Sequence, residues 1–168
     1  MAATVSLTYS SILTAIETLD QSLVPDAVDA NRKITHNGFN TASLSLSGST
    51  TPPVSMVASF QQALSGGAAT IDLTNMPGTN GAAVNGTGLK VRAFKFLNPA
   101  TNANPITIAT GASNGYALAG SAFSVTLAPG QETSMYLKDG APAIGSGAKT
   151  LDLTGTGSQV LHAILVIG

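Results

Sequence analysis

The sequence contains one short phrase twice, and this repetition constrains the fold more than any other feature. TIDLT occupies positions 70–74 and TLDLT occupies positions 150–154, and a GTG tripeptide follows each phrase. Residues 75–85 separate the first phrase from its GTG, whereas in the second copy GTG follows immediately. Each copy predicts a strand, a glycine turn and a second strand. We therefore interpret the pair as a duplicated β-hairpin whose first copy carries an inserted loop.

The aspartates at the centre of the two phrases, Asp72 and Asp152, allow two interpretations. Two carboxylates in one cleft can perform acid–base catalysis. However, apolar residues flank each aspartate, and the alternation of a strand turns such an aspartate away from the core. Beside a turn, an aspartate commonly accepts hydrogen bonds from loop N–H groups. We therefore favour a structural role for both aspartates and predict no catalytic, cofactor-binding or metal-binding residue.

Short alternating segments between turn residues predict an all-β protein. The chain has 18 glycines and 8 prolines among 168 residues, and 43% of its residues are hydrophobic. Phe123, Val125 and Leu127, for example, alternate with polar residues and stop at Pro129. This pattern is typical of an antiparallel β-sandwich or jelly roll. We expect residues 1–25 to form an N-terminal arm or first strand and residues 26–168 to form the sandwich.

Two segments fit both a helix and strands. In the N-terminal segment Ile12, Leu13, Ile16 and Leu19 have helical spacing, and this choice stays open. The run VASFQQALSGGAATIDLT at 57–74 fits either a helix or two strands around a Gly66-Gly67 turn. We favour a hairpin for that run.

The last strand is apolar on both faces. The first face carries Val160, Ile164 and Val166, and the second carries four aliphatic residues between Leu161 and Ile167. One face is expected to cover the core, and the other predicts a subunit interface or a surface covered by a loop. His162 lies in this strand, and we expect it to be buried, neutral and hydrogen-bonded.

The small number of charges excludes several classes of partner. Only 9% of the residues are charged and the net charge is −1, which offers no basic excess for nucleic acid. The most basic segment holds Lys90, Arg92 and Lys95, and we interpret it as a solvated face or as a patch that forms salt bridges to a neighbouring chain. The chain has no cysteine, so disulfides and thiolate zinc sites are excluded. No signal peptide or membrane segment is expected.

Two motifs match catalytic patterns only in part. GASNG at 111–115 fits the pattern of a nucleophile elbow, but no helix is predicted after Ser113, as that mechanism requires. Its downstream histidine, His162, falls in a predicted core strand. GSGAKT at 145–150 departs from the phosphate-binding loop because Ala148 separates the glycine from the lysine. His36 is expected to be an exposed residue beside a turn. We therefore predict that the chain is not an enzyme and uses no cofactor.

The second half of the sequence carries a longer pattern of motifs. It reads TGLKVRAFKFLNPATNANPITIATGASNGYALAG at 87–120 and FSVTLAPGQETSMYLKDGAPAIGSGAKTLDLTGTGSQVLHAILVIG at 123–168. This pattern resembles a group of small virion proteins of tailed bacteriophages. Their shared elements are a K-V-x-x-x-K-x-x-N strand, an NxITxxxGASNGY loop, a strand ending in LxPGxE and a closing AKTxDLxGTGxQ segment. The resemblance extends from about Ser55 to the end of the chain.

The resemblance implies a β-sandwich or jelly roll that binds the outer capsid surface as a decoration or cement protein. It further implies a homotrimer that contacts the major capsid protein in the virion, after assembly in the host cytoplasm. It brings no catalytic residue, nucleic-acid partner or membrane partner. We expect the segment up to about Leu23 to act as an arm that docks on the capsid or on an adjacent protomer. The alternative is a receptor- or glycan-binding β-sandwich of a head fibre or tail, with Tyr116 as the aromatic platform for a sugar.

Overall fold

The structure is a computed structural model and describes residues 4–19, 32–37, 41–78 and 81–168. Within these ranges there is no helix. The strands found there are β1 (Ser6–Ser11), β2 (Ala15–Leu19), β3 (Arg32–His36), β4 (Thr41–Ser47), β5 (Met56–Ala63), β6 (Ala68–Asp72), β7 (Met76–Pro77), β8 (Ala83–Val84), β9 (Val91–Leu97), β10 (Ile106–Thr110), β11 (Ser124–Leu127), β12 (Glu132–Tyr136), β13 (Thr150–Thr154) and β14 (Val160–Ile167).

The chain divides into two compact units. One unit contains the residues up to Leu7 together with Leu46–Gly168, and the other contains Thr8–Ser45. In the N-terminal part of the chain β1 pairs with β4, and β2 pairs antiparallel with β3. The open choice between helix and strand at residues 12–19 is therefore decided in favour of strands. The predicted boundary between residues 25 and 26 lies outside the described residues.

Two four-stranded antiparallel sheets form the larger unit and confirm the predicted all-β sandwich. Sheet I has the strand order β12-β9-β14-β5, and sheet II has the order β11-β10-β13-β6. Alternate residues of both sheets form one hydrophobic core. Sheet II contributes Ile108 and Leu151, and sheet I contributes Phe96 and Leu165, all completely buried.

The two copies of the doubled phrase pair with each other in sheet II, since the first copy begins in β6 and the second forms β13. In sheet II Thr70 lies opposite Asp152, Ile71 opposite Leu151, and Asp72 opposite Thr150. Each copy thus presents the same residue types to the other in reverse order. Such a register places a local two-fold axis through the Ile71–Leu151 pair.

The strands that follow the two GTG turns obey the same symmetry in sheet I. Lys95 lies opposite Ile164, and each follows the GTG turn of its own copy at the same distance along the chain. The strands that precede the two copies, β5 and β12, pair with β14 and β9 respectively. The sandwich therefore consists of two interlocked halves, β5–β6–β9 and β12–β13–β14, with β10 and β11 inserted between them.

Counted from the first glycine of each GTG, Gly86 or Gly155, both Lys95 and Ile164 are nine residues further along the chain. The same count makes Phe94 equivalent to Ala163 and Phe96 equivalent to Leu165, and these residues pair crosswise in the sheet. The two copies are therefore related by one local two-fold in both sheets.

The interpretation of each copy as a hairpin is wrong, because its two strands lie in different sheets. In the first copy β6 belongs to sheet II and β9 to sheet I, and in the second copy the same holds for β13 and β14. At 57–74 the two expected strands and the Gly66-Gly67 turn are confirmed, and an antiparallel Ser65–Ala68 bridge closes the turn. The two strands do not pair further, because β5 and β6 separate into the two sheets. The physical reason is that the apolar faces of these strands cover each other across the core, which strands paired within one sheet cannot do.

The glycines of the GTG turns make this crossing between sheets possible. The second glycine of each turn has a left-handed backbone, with φ of 82° at Gly88 and 66° at Gly157. Side chains with a Cβ atom are strained in that conformation. At the first glycine, Gly86, a Cβ atom would lie 2.7 Å from Cδ1 of Ile144. The repeated tripeptide is therefore explained by backbone conformation and close packing.

A β-bulge lies near the start of β9. The register between β14 and β9 shifts between Val166 and Ile167, so that Val166 lies opposite Ala93 and Ile167 opposite Val91. The extra residue, Arg92, lies in the bulge, and Val91 and Phe94 both reach the core.

Replacing Leu151 by alanine tests the importance of the two-fold pair. Leu151 is completely buried in the central strand of sheet II, so we expect the free energy of unfolding to fall by about 2–5 kcal/mol. Urea denaturation of the wild-type chain and of Leu151→Ala measures the difference. The control is Thr154→Ala on the exposed face of the same strand, expected to change stability by less than about 0.5 kcal/mol. Equal effects of the two substitutions would contradict the proposed core position.

Candidate functional site

The two aspartates of the doubled phrase lie on the outer face of sheet II, on neighbouring strands. Because Asp72 faces Thr150 and Asp152 faces Thr70, the two carboxylates are diagonal neighbours. The Oδ1 atom of Asp72 accepts hydrogen bonds from the backbone N–H (2.9 Å) and the hydroxyl (2.6 Å) of Thr74. Its Oδ2 atom pairs with Nζ of Lys149 at 2.9 Å.

Asp152 is held by a different loop. Its Oδ2 atom accepts a hydrogen bond from the backbone N–H of Ala112 (2.7 Å), and its Oδ1 atom accepts one from the hydroxyl of Thr70 (2.9 Å). The hydrogen bonds to loop N–H groups predicted from the sequence are therefore present at both aspartates. Each carboxylate fixes a loop to the outer face of sheet II.

The surroundings of Asp72 favour its ionised form. Partial desolvation raises the pKa of this carboxyl, but the hydrogen bonds from Thr74 and the charge of Lys149 outweigh desolvation and lower the pKa below the ordinary value of 3.8. A general acid at neutral pH needs a raised pKa. Asp72 is thus set up as an anionic hydrogen-bond acceptor.

The GASNG loop is bound along β13 by its backbone. The carbonyl of Asn114 accepts hydrogen bonds from the N–H groups of Lys149 (2.7 Å) and Thr150 (3.0 Å), and the carbonyl of Ser113 accepts one from the Thr150 hydroxyl. Asn114 has a left-handed backbone with φ of 53°. The residues of this loop are therefore explained by the backbone conformation in which the loop binds the second copy of the doubled phrase.

The structure does not bring the elements of the partial catalytic motif together. Ser113 lies in a loop bound to sheet II, whereas His162 lies on the outer face of sheet I, on the other side of the sandwich. His162 is half-buried and lines a surface depression, so the expectation that it is buried in the core is wrong. The reason is that the core face of β14 belongs to Leu161 and Ala163, and alternation turns His162 outward.

Tyr116 lies in the core and cannot present its ring to a sugar. Its side chain is completely buried, and its hydroxyl donates to the carbonyl of Pro142 (2.8 Å) and accepts from the N–H of Val91 (3.1 Å). Burial raises the pKa of the phenol, although the hydrogen bond from Val91 opposes this shift. The role predicted for Tyr116 in the glycan-binding alternative is therefore wrong. The hydroxyl instead joins the start of β9 to the loop before β13.

The basic residues near β9 are used within the chain. Arg92 is only 7% exposed, and its guanidinium donates to the carbonyls of Gly168 and Lys138, both at 2.8 Å, and to the Asp139 carboxylate at 2.6 Å. The hydrogen bond from Arg92 lowers the pKa of Asp139. Lys95 forms an ion pair with Glu132 at 2.7 Å. These ion pairs lie within the chain, so salt bridges to a neighbouring chain stay a prediction, and Arg92 also holds Gly168 in place.

A buried amide network joins the loop after β9 to the second GTG turn, and the sequence analysis did not identify it. Asn98 is completely buried and donates to the carbonyls of Leu127 (2.8 Å) and Asn104 (3.2 Å). Asn102 donates to Oδ1 of Asn98 (2.6 Å) and to the carbonyl of Val160 (2.7 Å). The density of asparagines in LNPATNANP was the available signal. These side chains replace backbone partners that an irregular loop lacks.

The outer face of sheet I carries the second apolar face of β14. Ile164 is 41% exposed, and beside it His162, Lys95 and Leu97 line an open depression of about 370 Å³. No loop of the described residues therefore covers Ile164, and the subunit interface expected on this face stays a prediction.

The N-terminal unit exposes the most prominent aliphatic side chains among the described residues. Ile12, Leu13 and Ile16 are 71%, 80% and 64% exposed. Ile12 and Leu13 lie in the connection between β1 and β2, and Ile16 lies in β2. Large aliphatic groups exposed together commonly mark an interaction surface.

Among the described residues, no three histidine, aspartate or glutamate side chains are grouped closely enough to hold a metal ion. The same residues include no helix with the length and hydrophobicity needed to cross a membrane. No protein-family model, curated protein or solved structure matches the chain. The geometry of its surfaces and the resemblance in sequence therefore carry the functional argument.

Substitution of Asp72 by asparagine tests the electrostatic role of this carboxylate. Its pKa is lower in the folded chain than in the unfolded chain, so its contribution is present above about pH 4 and disappears as the pH falls through the folded pKa. Because the side chain is 36% exposed, solvent screening limits the loss in Asp72→Asn at pH 7 to about 1 kcal/mol or less. Urea denaturation at pH 7 and pH 2.5 measures it. A loss that is undiminished in acid would contradict this role.

Substitution of Tyr116 by phenylalanine tests the buried hydroxyl. The change leaves the Val91 N–H and the Pro142 carbonyl without this partner, so we expect stability to fall by about 1–3 kcal/mol. Denaturation in urea measures the loss. A spectrophotometric titration of the folded chain provides a second readout, since the variant should lack a phenol that ionises above the ordinary pKa of 10.0. Unchanged stability together with an unchanged titration would contradict the buried position.

Proposed function

We propose that the chain is a structural virion protein that binds the outer surface of a tailed-phage capsid as a decoration or cement protein. Its partner is the major capsid protein, and its assembly state is a homotrimer. The sequence resemblance suggests the class of protein. The observation that carries the proposal is the exposed aliphatic group Ile12, Leu13 and Ile16 in the N-terminal unit.

These three side chains support the role of an arm that docks on the shell. Covering a large aliphatic side chain on binding contributes about 1.5–3 kcal/mol, so three such groups can supply a useful part of the affinity. Glu17 is the one charged residue in the segment 4–19. An almost neutral arm of this kind suits a protein surface better than a phosphate backbone.

The sandwich supports the same proposal through its rigidity. The chain has no cysteine, and assembly in a reducing cytoplasm would not permit stable disulfides. Instead, the buried Arg92 fixes the end of the chain and the Asn98 network fixes the loop after β9. A rigid block loses little conformational entropy when many copies bind to a lattice.

The glycan-binding alternative loses its main candidate residue. Tyr116 is completely buried, and a sugar platform requires an exposed aromatic face. Phe94 and Phe96 are also buried. We therefore favour binding to the capsid surface over binding to a glycan.

Mixing purified chain with undecorated capsids tests the proposal. We expect regular density on the shell by electron cryo-microscopy, and co-sedimentation that saturates at a fixed number of copies. Removing the aliphatic groups with Ile12→Ser, Leu13→Ser and Ile16→Ser should weaken binding by about tenfold or more. The matched control carries Ser10→Ala, Ser11→Ala and Thr14→Ala, which change the same segment without removing aliphatic surface.

Two outcomes would contradict different parts of the proposal. A wild-type chain that leaves capsids bare would contradict the capsid function itself. Capsid binding that survives both the triple serine variant and deletion of residues 2–20 would contradict the docking role of the arm.

A further inference from the structure

The four edge strands of the sandwich differ in how well they are protected against pairing with another chain. In sheet II the edge strand β11 has only four residues, and the edge strand β6 ends at the charged Asp72. In sheet I the edge strand β12 begins with Glu132, which pairs with Lys95. Short length and charge are the usual means by which proteins prevent edge pairing.

The remaining edge strand, β5, has neither form of protection. It runs for eight residues, MVASFQQA, without a charged residue or a proline. Its outward-facing side chains Ser59, Gln61 and Ala63 are exposed. β7 and β8 lie close to β5 without pairing with it, and among the described strands only β14 is hydrogen-bonded to β5. Of the four edge strands of the two sheets, β5 is therefore the longest one without a charge, and its second edge can accept a further strand.

The pairing of β5 with β14 determines which backbone groups remain available. Leu64 donates to the carbonyl of Gln159 at 2.8 Å, which sets the phase of the antiparallel ladder. Alternate residues of an antiparallel strand direct their N–H and C=O groups to opposite sides. Val57, Ser59, Gln61 and Ala63 therefore direct theirs to the free edge. In agreement, the carbonyl of Ala63 accepts from the Gln62 side chain (3.1 Å).

We propose that β5 is a homotypic assembly edge, which pairs antiparallel with β5 of a second copy about a two-fold axis at Phe60. The two copies of sheet I then form one continuous eight-stranded sheet. In this register Val57 lies opposite Ala63 of the second copy, and Ser59 lies opposite its Gln61. The four residues whose backbone N–H and C=O groups point to this edge then form hydrogen-bonded pairs with the second copy.

The side chains of β5 match in this register. On the outer face the apolar Val57 lies opposite the apolar Ala63 of the second copy, and the polar Ser59 lies opposite its polar Gln61. On the inner face the half-buried Phe60 meets its own counterpart at the axis, and aromatic cross-strand pairs are favourable. No charge opposes the approach, because β5 carries none. This self-complementarity identifies a second copy of the chain as the occupant.

The β5 contact is independent of capsid binding. It is two-fold, and so it is separate from the three-fold contact of the proposed homotrimer. Whatever oligomer the other surfaces form, pairing through β5 joins two such particles. Its test uses the purified full chain without capsids, so that its failure and the failure of the proposed function can be distinguished.

Lysines on the free edge test the contact. Ser59→Lys with Gln61→Lys places like charges opposite each other across the axis, and we expect the association constant to fall by about tenfold or more. Analytical ultracentrifugation over a concentration series should show the particle mass halved. The matched control is Ser124→Lys on the exposed face of the edge strand β11, where Ala109 lies opposite, and it is expected to leave the mass unchanged. Circular dichroism verifies that each variant is folded.

Cysteine crosslinking tests the register, since the wild-type chain has no cysteine. Directly opposed residues of a hydrogen-bonded pair have Cα atoms about 5.5 Å apart, within disulfide range. A mixture of Ser59→Cys and Gln61→Cys proteins should therefore form the mixed disulfide about tenfold faster than either protein dimerises alone, because identical positions are diagonal and about 7–8 Å apart. Mixing Ser59→Cys with Ser134→Cys provides the control.

Three results would overturn the proposal. The first is a wild-type mass that does not change with concentration and equals that of the lysine variant. The second is a folded lysine variant whose particle mass equals that of an associating wild-type chain. The third is a mixture of the two cysteine proteins that crosslinks no faster than the control mixture.

Discussion

The pairing of the doubled phrase with itself is the interaction on which the rest of the structure depends. Ile71 and Leu151 meet on the two-fold axis in sheet II, and the strands that follow them meet about Lys95 and Ile164 in sheet I. One register therefore fixes the relative position of both halves in both sheets. A shift by one residue would turn the buried aliphatic faces outward, so the core itself enforces this register.

Residues whose chemistry could serve catalysis serve the architecture instead. Asp72 and Asp152 hold loops against sheet II, the Ser113 carbonyl binds Thr150, and the Tyr116 hydroxyl joins two segments in the core. These groups satisfy irregular backbone that the sheets leave unpaired, a need that grows in a chain with long loops and no disulfides. The surface that remains is neutral and rich in hydroxyl groups.

Two features of this neutral surface point to association with other proteins. The N-terminal unit exposes Ile12, Leu13 and Ile16, and β5 leaves an uncharged sheet edge. The first offers apolar area without directional bonds, and the second offers directional bonds with little apolar area. The two surfaces therefore suit different partners, which we propose to be a capsid shell for the arm and a second copy of the chain for the edge.

The sequence by itself determined the all-β class, the repeat and the outward direction of the two aspartates, because alternation and turn glycines are local properties. Only the tertiary structure decided that each repeat crosses between sheets, that Tyr116 is buried and that His162 faces outward. Those outcomes depend on which strands become neighbours. The neighbours are chosen by burial of apolar faces across the core, between residues as distant in the chain as Ile71 and Leu151, and no local pattern encodes that choice.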